Sequence, residues 1–180
     1  VERAQRVLVE PGLYRERVSL VNGVRIFGSG AALTVVAPPT STIGSLVSAE
    51  GVQDASLALL TLAGDGRQDG VRVDAGAQIS VTRAIIRNTA TAVAIDGAAG
   101  GAMAAVSNNT LVNNVNGVAA ANCGSLDVED TVFAFHTGTA LGYQGCAATR
   151  LHNFNAFWRN GQDQALPSGD SPGQGNVFAD

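Results

Sequence analysis

Asn108-Asn109-Thr110-Leu111-Val112-Asn113-Asn114, followed by Gly117-Val118, is the stretch whose reading decides the fold. An apolar pair is bounded on both sides by asparagines, and a second apolar run opens just beyond a glycine. Asn and Gly accept the backbone angles of tight bends, and β-branched residues between such bends favour strands. The arrangement returns at Ile85-Ile86-Arg87-Asn88, followed by Val93-Ala94-Ile95, and at Phe157-Trp158-Arg159-Asn160, followed by Ala165. Weaker copies begin at Leu62 and Val132. The five anchors Leu62, Ile85, Leu111, Val132 and Phe157 recur at intervals averaging roughly 24 residues, the scale of one unit in a stacked solenoid.

Each unit carries three short strand-like pieces, as in Ile79-Ser80-Val81, Ala84-Ile85-Ile86 and Val93-Ala94-Ile95. The pieces are too short for helices, and Gly and β-branched residues interrupt every window in which a 3.6-residue stripe would show. The N-terminal part of the chain fits the same plan, with Val7-Leu8-Val9, Val18-Ser19-Leu20, Val24-Arg25-Ile26-Phe27, Thr34-Val35-Val36 and Ser45-Leu46-Val47 as strands. Three strands per unit predict a parallel β-helix: all-β, about seven coils of roughly 24 residues, stacked ~4.8 Å apart into a rod about 35 Å long. A single coil cannot bury its apolar side, whereas stacked coils share a continuous core. Residues 1–180 read as one β-helix domain with no composition break.

Composition agrees. Of 180 residues, 46% are hydrophobic and 14% charged, the balance of a folded chain. All 11 basic residues are Arg, and they form no stripe, which argues against a nucleic-acid partner. No apolar run reaches the ~18 residues of a membrane span. Val1-Glu2-Arg3-Ala4 begins no signal sequence, so an exported protein would already have lost it.

Val9-Glu10-Pro11-Gly12-Leu13-Tyr14-Arg15-Glu16-Arg17-Val18 resembles the V-x-P-G-x-Y-x-E-x-V opening of right-handed parallel β-helix proteins, the pectin-lyase-like superfamily. Gly23-Val24-Arg25-Ile26-Phe27-Gly28-Ser29-Gly30 looks like the element that follows it, and the stretch quoted first is similar to the family's repeat. The resemblance covers nearly the whole chain. It implies a single-stranded right-handed parallel β-helix, an extracellular or cell-surface location and a polysaccharide partner, to be bound or processed by a lyase or hydrolase. A structural or adhesive surface module is the other reading. The family's catalytic sets do not carry over: Gln53-Asp54 is followed by Ala55 rather than Thr, and the Arg-x-Lys of polygalacturonases is missing from a chain without Lys. No catalytic residue is therefore assigned. Gly175-Asn176-Val177-Phe178-Ala179-Asp180 resembles a segment that in relatives runs into further coils, as in a fragment of a longer solenoid.

Individual residues yield four further expectations. Asn88, Asn114 and Asn160 would stack in one turn column, each amide bonding neighbouring turn backbone. If the five anchors point inward, strand alternation turns Ala63, Ile86, Val112, Phe133 and Trp158 outward. An exposed line ending in Phe133 and Trp158, with Arg87 and Arg159 beside it, would suit stacking on sugar rings and contacts to anionic groups. No organic cofactor is implied, because Gly28-Ser29-Gly30 leads into a strand rather than a helix; Ca²⁺ could be held by Asp127, Glu129 and Asp130, with Arg83 and Arg87 on nearby coils. Cys123 and Cys146, close to one coil apart in the sequence, would lie on neighbouring coils within disulfide reach.

Overall fold

The structure is a computed structural model that describes residues 5–39, 43–145 and 150–179. Its 22 strands form three parallel sheets, designated A, B and C in the order the chain visits them. One coil shows the plan: Gln78–Thr82 in sheet A, Ile85–Arg87 in sheet B and Thr91–Asp96 in sheet C, before Met103–Ser107 re-enters sheet A one level on. No helix occurs among the described residues. The expected solenoid of about seven coils with roughly 24-residue spacing is present.

Sheet B sets the packing. Most of its strands are very short, and those of three residues in the middle of the rod commit their central side chain to its axis. The inward column runs Val36, Leu62, Ile86, Leu111, Phe133, Phe157 and Phe178. Successive members come from successive coils, and all but Phe178 are buried. Sheet A adds Leu57, Val81, Val106 and Val128, and sheet C adds Val47, Val71, Val93, Val118 and Leu141. The three columns meet in one continuous apolar core.

This register corrects two of the five anchors. Leu62, Leu111 and Phe157 point inward as expected, but Ile86 replaces Ile85 and Phe133 replaces Val132. Val132 is 40% exposed and Phe133 fully buried. Both copies offer two adjacent apolar residues, and a pleat places them on opposite faces. Phe133 stacks on Phe157 with ring centroids 5.0 Å apart and planes 7° apart, and Phe157 stacks on Phe178 in the same way. Inter-strand spacing imposes this parallel stacking on identical residues in a column.

Two short corners close each coil. Between sheets A and B one residue takes the left-handed conformation: Arg83, Asn108, Asp130 or Phe154. Between B and C the corresponding residue is Asn88, Asn113, Phe135 or Arg159. The next residue at each corner forms a hydrogen-bonded ladder. Asn109 accepts from Ala84 N–H through Oδ1 at 2.9 Å and donates to Val81 C=O at 2.9 Å, and Asn155 repeats this toward Thr131 and Val128. At the second corner Asn114 accepts from Thr89 N–H and donates to Ile86 C=O, while Asn160 accepts from His136 N–H and donates to Phe133 C=O. Asn114 and Asn160 thus share a column, but with Thr89 and His136. Asn88 sits one position earlier, at the left-handed residue.

His136 is the irregular rung. Its Nδ1 accepts from Asn114 N–H at 3.3 Å, and its buried Nε2 has no hydrogen-bond partner among the described residues. Burial in this apolar corner lowers its pKa from 6.5 to about 4.

The corrected register predicts that Leu111→Ala lowers stability by ~2–5 kcal/mol, as for a buried large-to-small change, whereas Val132→Ala costs less than about 0.5 kcal/mol. Denaturant titration of the pair checks this, and equal costs would contradict the register. A second expectation concerns pH. The folded state excludes a proton from His136 that the unfolded chain takes up near pH 6.5, so this contribution is complete above pH 6.5 and is lost as pH falls to about 4. The loss amounts to about 3 kcal/mol. His136→Asn supplies the missing amide and should remove this part of the acid sensitivity, read as a smaller fall in melting temperature between pH 7 and pH 4.

Candidate functional site

The outer face of sheet B carries two columns. One runs Thr61, Ile85, Thr110, Val132, Ala156 and Val177, the other Ala63, Arg87, Val112, Ala134, Trp158 and Ala179. Neither contains a carboxylate. Trp158 is 41% exposed on this face, and the guanidinium of Arg159 lies 5.5 Å from the centre of its ring. Arg159 gets there because it is the left-handed corner residue directly after the strand. Phe135, in the same corner one coil earlier, donates its N–H to Trp158 C=O at 3.0 Å and exposes its ring. Phe154 is exposed at the opposite corner. The result is an apolar, aromatic surface over the last coils, bordered by Arg159.

Of the four expected binding residues, this face brings Trp158 and Arg159 together. Arg87 is exposed in the column of Trp158 but three strands away, about 14 Å at the inter-strand spacing. Phe133 does not belong to the face, because its ring is packed in the core between Leu111 and Phe157. Phe135 and Phe154 supply the exposed aromatic surface instead. Their appearance could have been read from the repeat, since they stand where other coils place Asn, Arg or Asp.

Asp127 and Glu129 point outward from the sheet A strand Ser125–Glu129, and Asp130 occupies the adjoining left-handed corner. Among the described residues no three potential metal ligands gather at one point, these included. Gly28 ends the sheet A strand Val24–Gly28, and the bend follows at Ser29-Gly30: Ser29 Oγ donates to Val9 C=O at 2.9 Å, and its N–H donates to Thr34 Oγ1 at 2.9 Å.

The charged cluster of the molecule lies on sheet C, where sequence reading did not place it. Arg72 is flanked by Asp69 at 3.8 Å, Asp74 at 3.2 Å and Asp96 at 3.7 Å. Burial raises the Asp69 pKa, with Arg72 and hydrogen bonds from Thr91 opposing it. Hydrogen bonds from Asn122 and from Ala98 N–H lower that of Asp96. Further along the same face, Ala119, Gly142 and Ala165 floor a recess of about 180 Å³, with Asn116, Thr139 and Gln144 at its margin. The signal was the spacing of Asp74 and Asp96, close to one coil, which becomes informative only once both are known to face outward.

No family model and no curated protein matches the chain. Among solved structures it is similar to the catalytic domain of a GH87 α-1,3-glucanase in complex with nigerose, at 14% identity and a TM-score of 0.65. The fold is a right-handed parallel β-helix. The match covers 96% of this chain and 40% of that one. A pectin methylesterase in complex with hexasaccharide VII matches at 13% identity and a TM-score of 0.42, over 96% of this chain and 68% of that one.

Cys146 lies outside the described residues. Cys123, in the turn after the sheet C strand Asn116–Ala121, is not a free thiol. Pairing of Cys123 with Cys146 predicts no reactive thiol in denaturant without reductant. Two thiols per chain in that assay would exclude the bond; its removal should cost about 3 kcal/mol by loop-closure entropy.

Proposed function

We propose that this protein is an exported glycan-binding β-helix, and that the outer face of sheet B over its C-terminal coils is the contact surface. The observation that carries this reading is Trp158, held 41% exposed on a sheet face without carboxylates and with a guanidinium beside its ring. An indole on a rigid strand offers a flat apolar surface to the C–H face of a sugar at little entropic cost. Arg159 and Arg87 lie along the same direction as the rod axis, where they would meet carboxylates of an extended acidic glycan. The chain as a whole has a net charge of −4, yet its acidic strand residues face outward on sheets A and C, leaving sheet B positive. An oxidising, extracellular setting fits a Cys123–Cys146 bond. The likeness to a glucanase domain in complex with nigerose supports carbohydrate as the ligand class. The proposed role is binding: the outward strand positions of sheet B hold no carboxylate or histidine to serve as general acid or base.

Titration with polygalacturonate should shift the emission of Trp158, which is the only tryptophan in the chain. Because Trp158→Ala removes the reporter, its effect is measured by calorimetry, where affinity should fall at least about tenfold, an interaction worth ~1.4 kcal/mol. Arg159→Ala and Arg87→Ala should weaken binding and reduce its sensitivity to salt. Unchanged affinity in Trp158→Ala would remove sheet B from the binding surface.

A further inference from the structure

The outer face of sheet C changes character along the rod. Its central outward column begins with Ser19, Ser48 and Arg72, then continues as Ala94, Ala119, Gly142 and Ala165. The last three positions floor the recess of about 180 Å³. Packing does not require so small a floor. A Cβ added to Gly142 would meet only Thr139 Cγ2, at 3.5 Å, an ordinary van der Waals contact, and its backbone is not in the left-handed region. Gly117 on the neighbouring coil is the contrast, because a Cβ there would come within 2.8 Å of the buried Phe133 ring. Position 142 could therefore hold a larger side chain, and its absence is what leaves the recess open.

The margins are polar and uncharged. On one side stand Asn116 and Thr139, the latter backed by Gln162. Asn116 Oδ1 accepts from Thr139 N–H at 3.1 Å, Thr139 Oγ1 donates to Gln162 Oε1 at 3.3 Å, and Gln162 Nε2 donates to Gln164 C=O at 3.0 Å. Asn116 Nδ2 and the side-chain amide of Gln144, on the other side, make no hydrogen bond among the described residues. No residue lining the recess is charged. Its volume is below the about 300–1,000 Å³ of pockets that enclose whole drug-sized ligands. It fits a unit about the size of one ring, and its open side lets a longer molecule continue past.

We propose that this recess is a second binding site, taking one ring of a neutral, hydroxyl-rich ligand such as a neutral oligosaccharide. The ring's C–H face rests on Ala119, Gly142 and Ala165. Its hydroxyls accept from the Asn116 amide and exchange hydrogen bonds with the Gln144 amide. The site is on a different sheet from Trp158, and its occupancy does not depend on that face.

Amide chemical shifts of the ¹⁵N-labelled protein, titrated with maltohexaose and separately with cellohexaose, test the assignment. With at least one of them the shifts should centre on Ala119, Gly142 and Ala165. Gly142→Leu should keep the melting temperature and lower affinity at least about tenfold. Gln144→Ala, an exposed change that leaves the core untouched, should weaken binding about fivefold, as expected for one hydrogen bond. Full affinity in Gly142→Leu overturns the proposal. So do shifts that centre on Trp158, or no shift in the recess with either sugar up to about 10 mM, a limit near the weakest useful affinity. Should Gly142→Leu fail to fold, Gln144→Ala decides: affinity equal to that of the unsubstituted protein overturns the site. Loss of polygalacturonate binding in Trp158→Ala, with recess shifts retained, separates the two faces.

Discussion

A single left-handed residue at each short corner is the constraint on which this structure depends. It turns the chain from sheet A to sheet B, and again from sheet B to sheet C, without a loop. For a residue with a Cβ the left-handed conformation costs about 1–2 kcal/mol. The next residue offsets this cost. Asn109, Asn114, Asn155 and Asn160 bond corner N–H and C=O groups of the preceding coil that the sheets leave unpaired. A buried polar group left without a partner costs about 1–3 kcal/mol, so the ladder and the corners support each other. With both corners set, little chain remains for the central sheet B strands, and only the middle residue of each reaches the core.

The same corners determine what the surface offers. A left-handed residue projects its side chain away from the coil, so Phe135, Phe154 and Arg159 are displayed at the edges of sheet B rather than packed. Arg159 reaches the Trp158 ring for this reason. Stacking then turns sequence positions one coil apart into neighbours. Arg72 collects Asp69 and Asp74 from its own strand and Asp96 from the next. The rod therefore has faces of different chemistry: an aromatic and positive sheet B, and a sheet C that passes from an ion-pair cluster to an uncharged recess.

The ladder has one weak rung. His136 takes an asparagine position, accepts one hydrogen bond and leaves Nε2, against the core, unpartnered among the described residues. It packs edge-on to Phe133 at 6.1 Å, the first ring of the Phe133–Phe157–Phe178 stack. Protonation there would charge the corner that supports the coils bearing Trp158. Acid sensitivity and the exposed aromatic face of sheet B are thus located in the same part of the rod.

The repeat of apolar pairs, asparagines and glycines was enough to determine a parallel β-solenoid, its coil length, its strand-only content and core members such as Leu62, Leu111 and Phe157. These follow from local chemistry that any window one coil long contains. The phase of the pleat was not available from it. Ile85-Ile86 and Val132-Phe133 each allow either residue inward, and the interval between inward positions varies from coil to coil, which permits a slip by a single position. Only pairing with the strands above and below chose Ile86 and Phe133, and so moved Phe133 from the outer face to the core. The Arg72 cluster and the Gly142 recess were hidden for the same reason. Their residues lie on successive coils, and which side chains become neighbours depends on the length of every turn between them and on the face each strand presents.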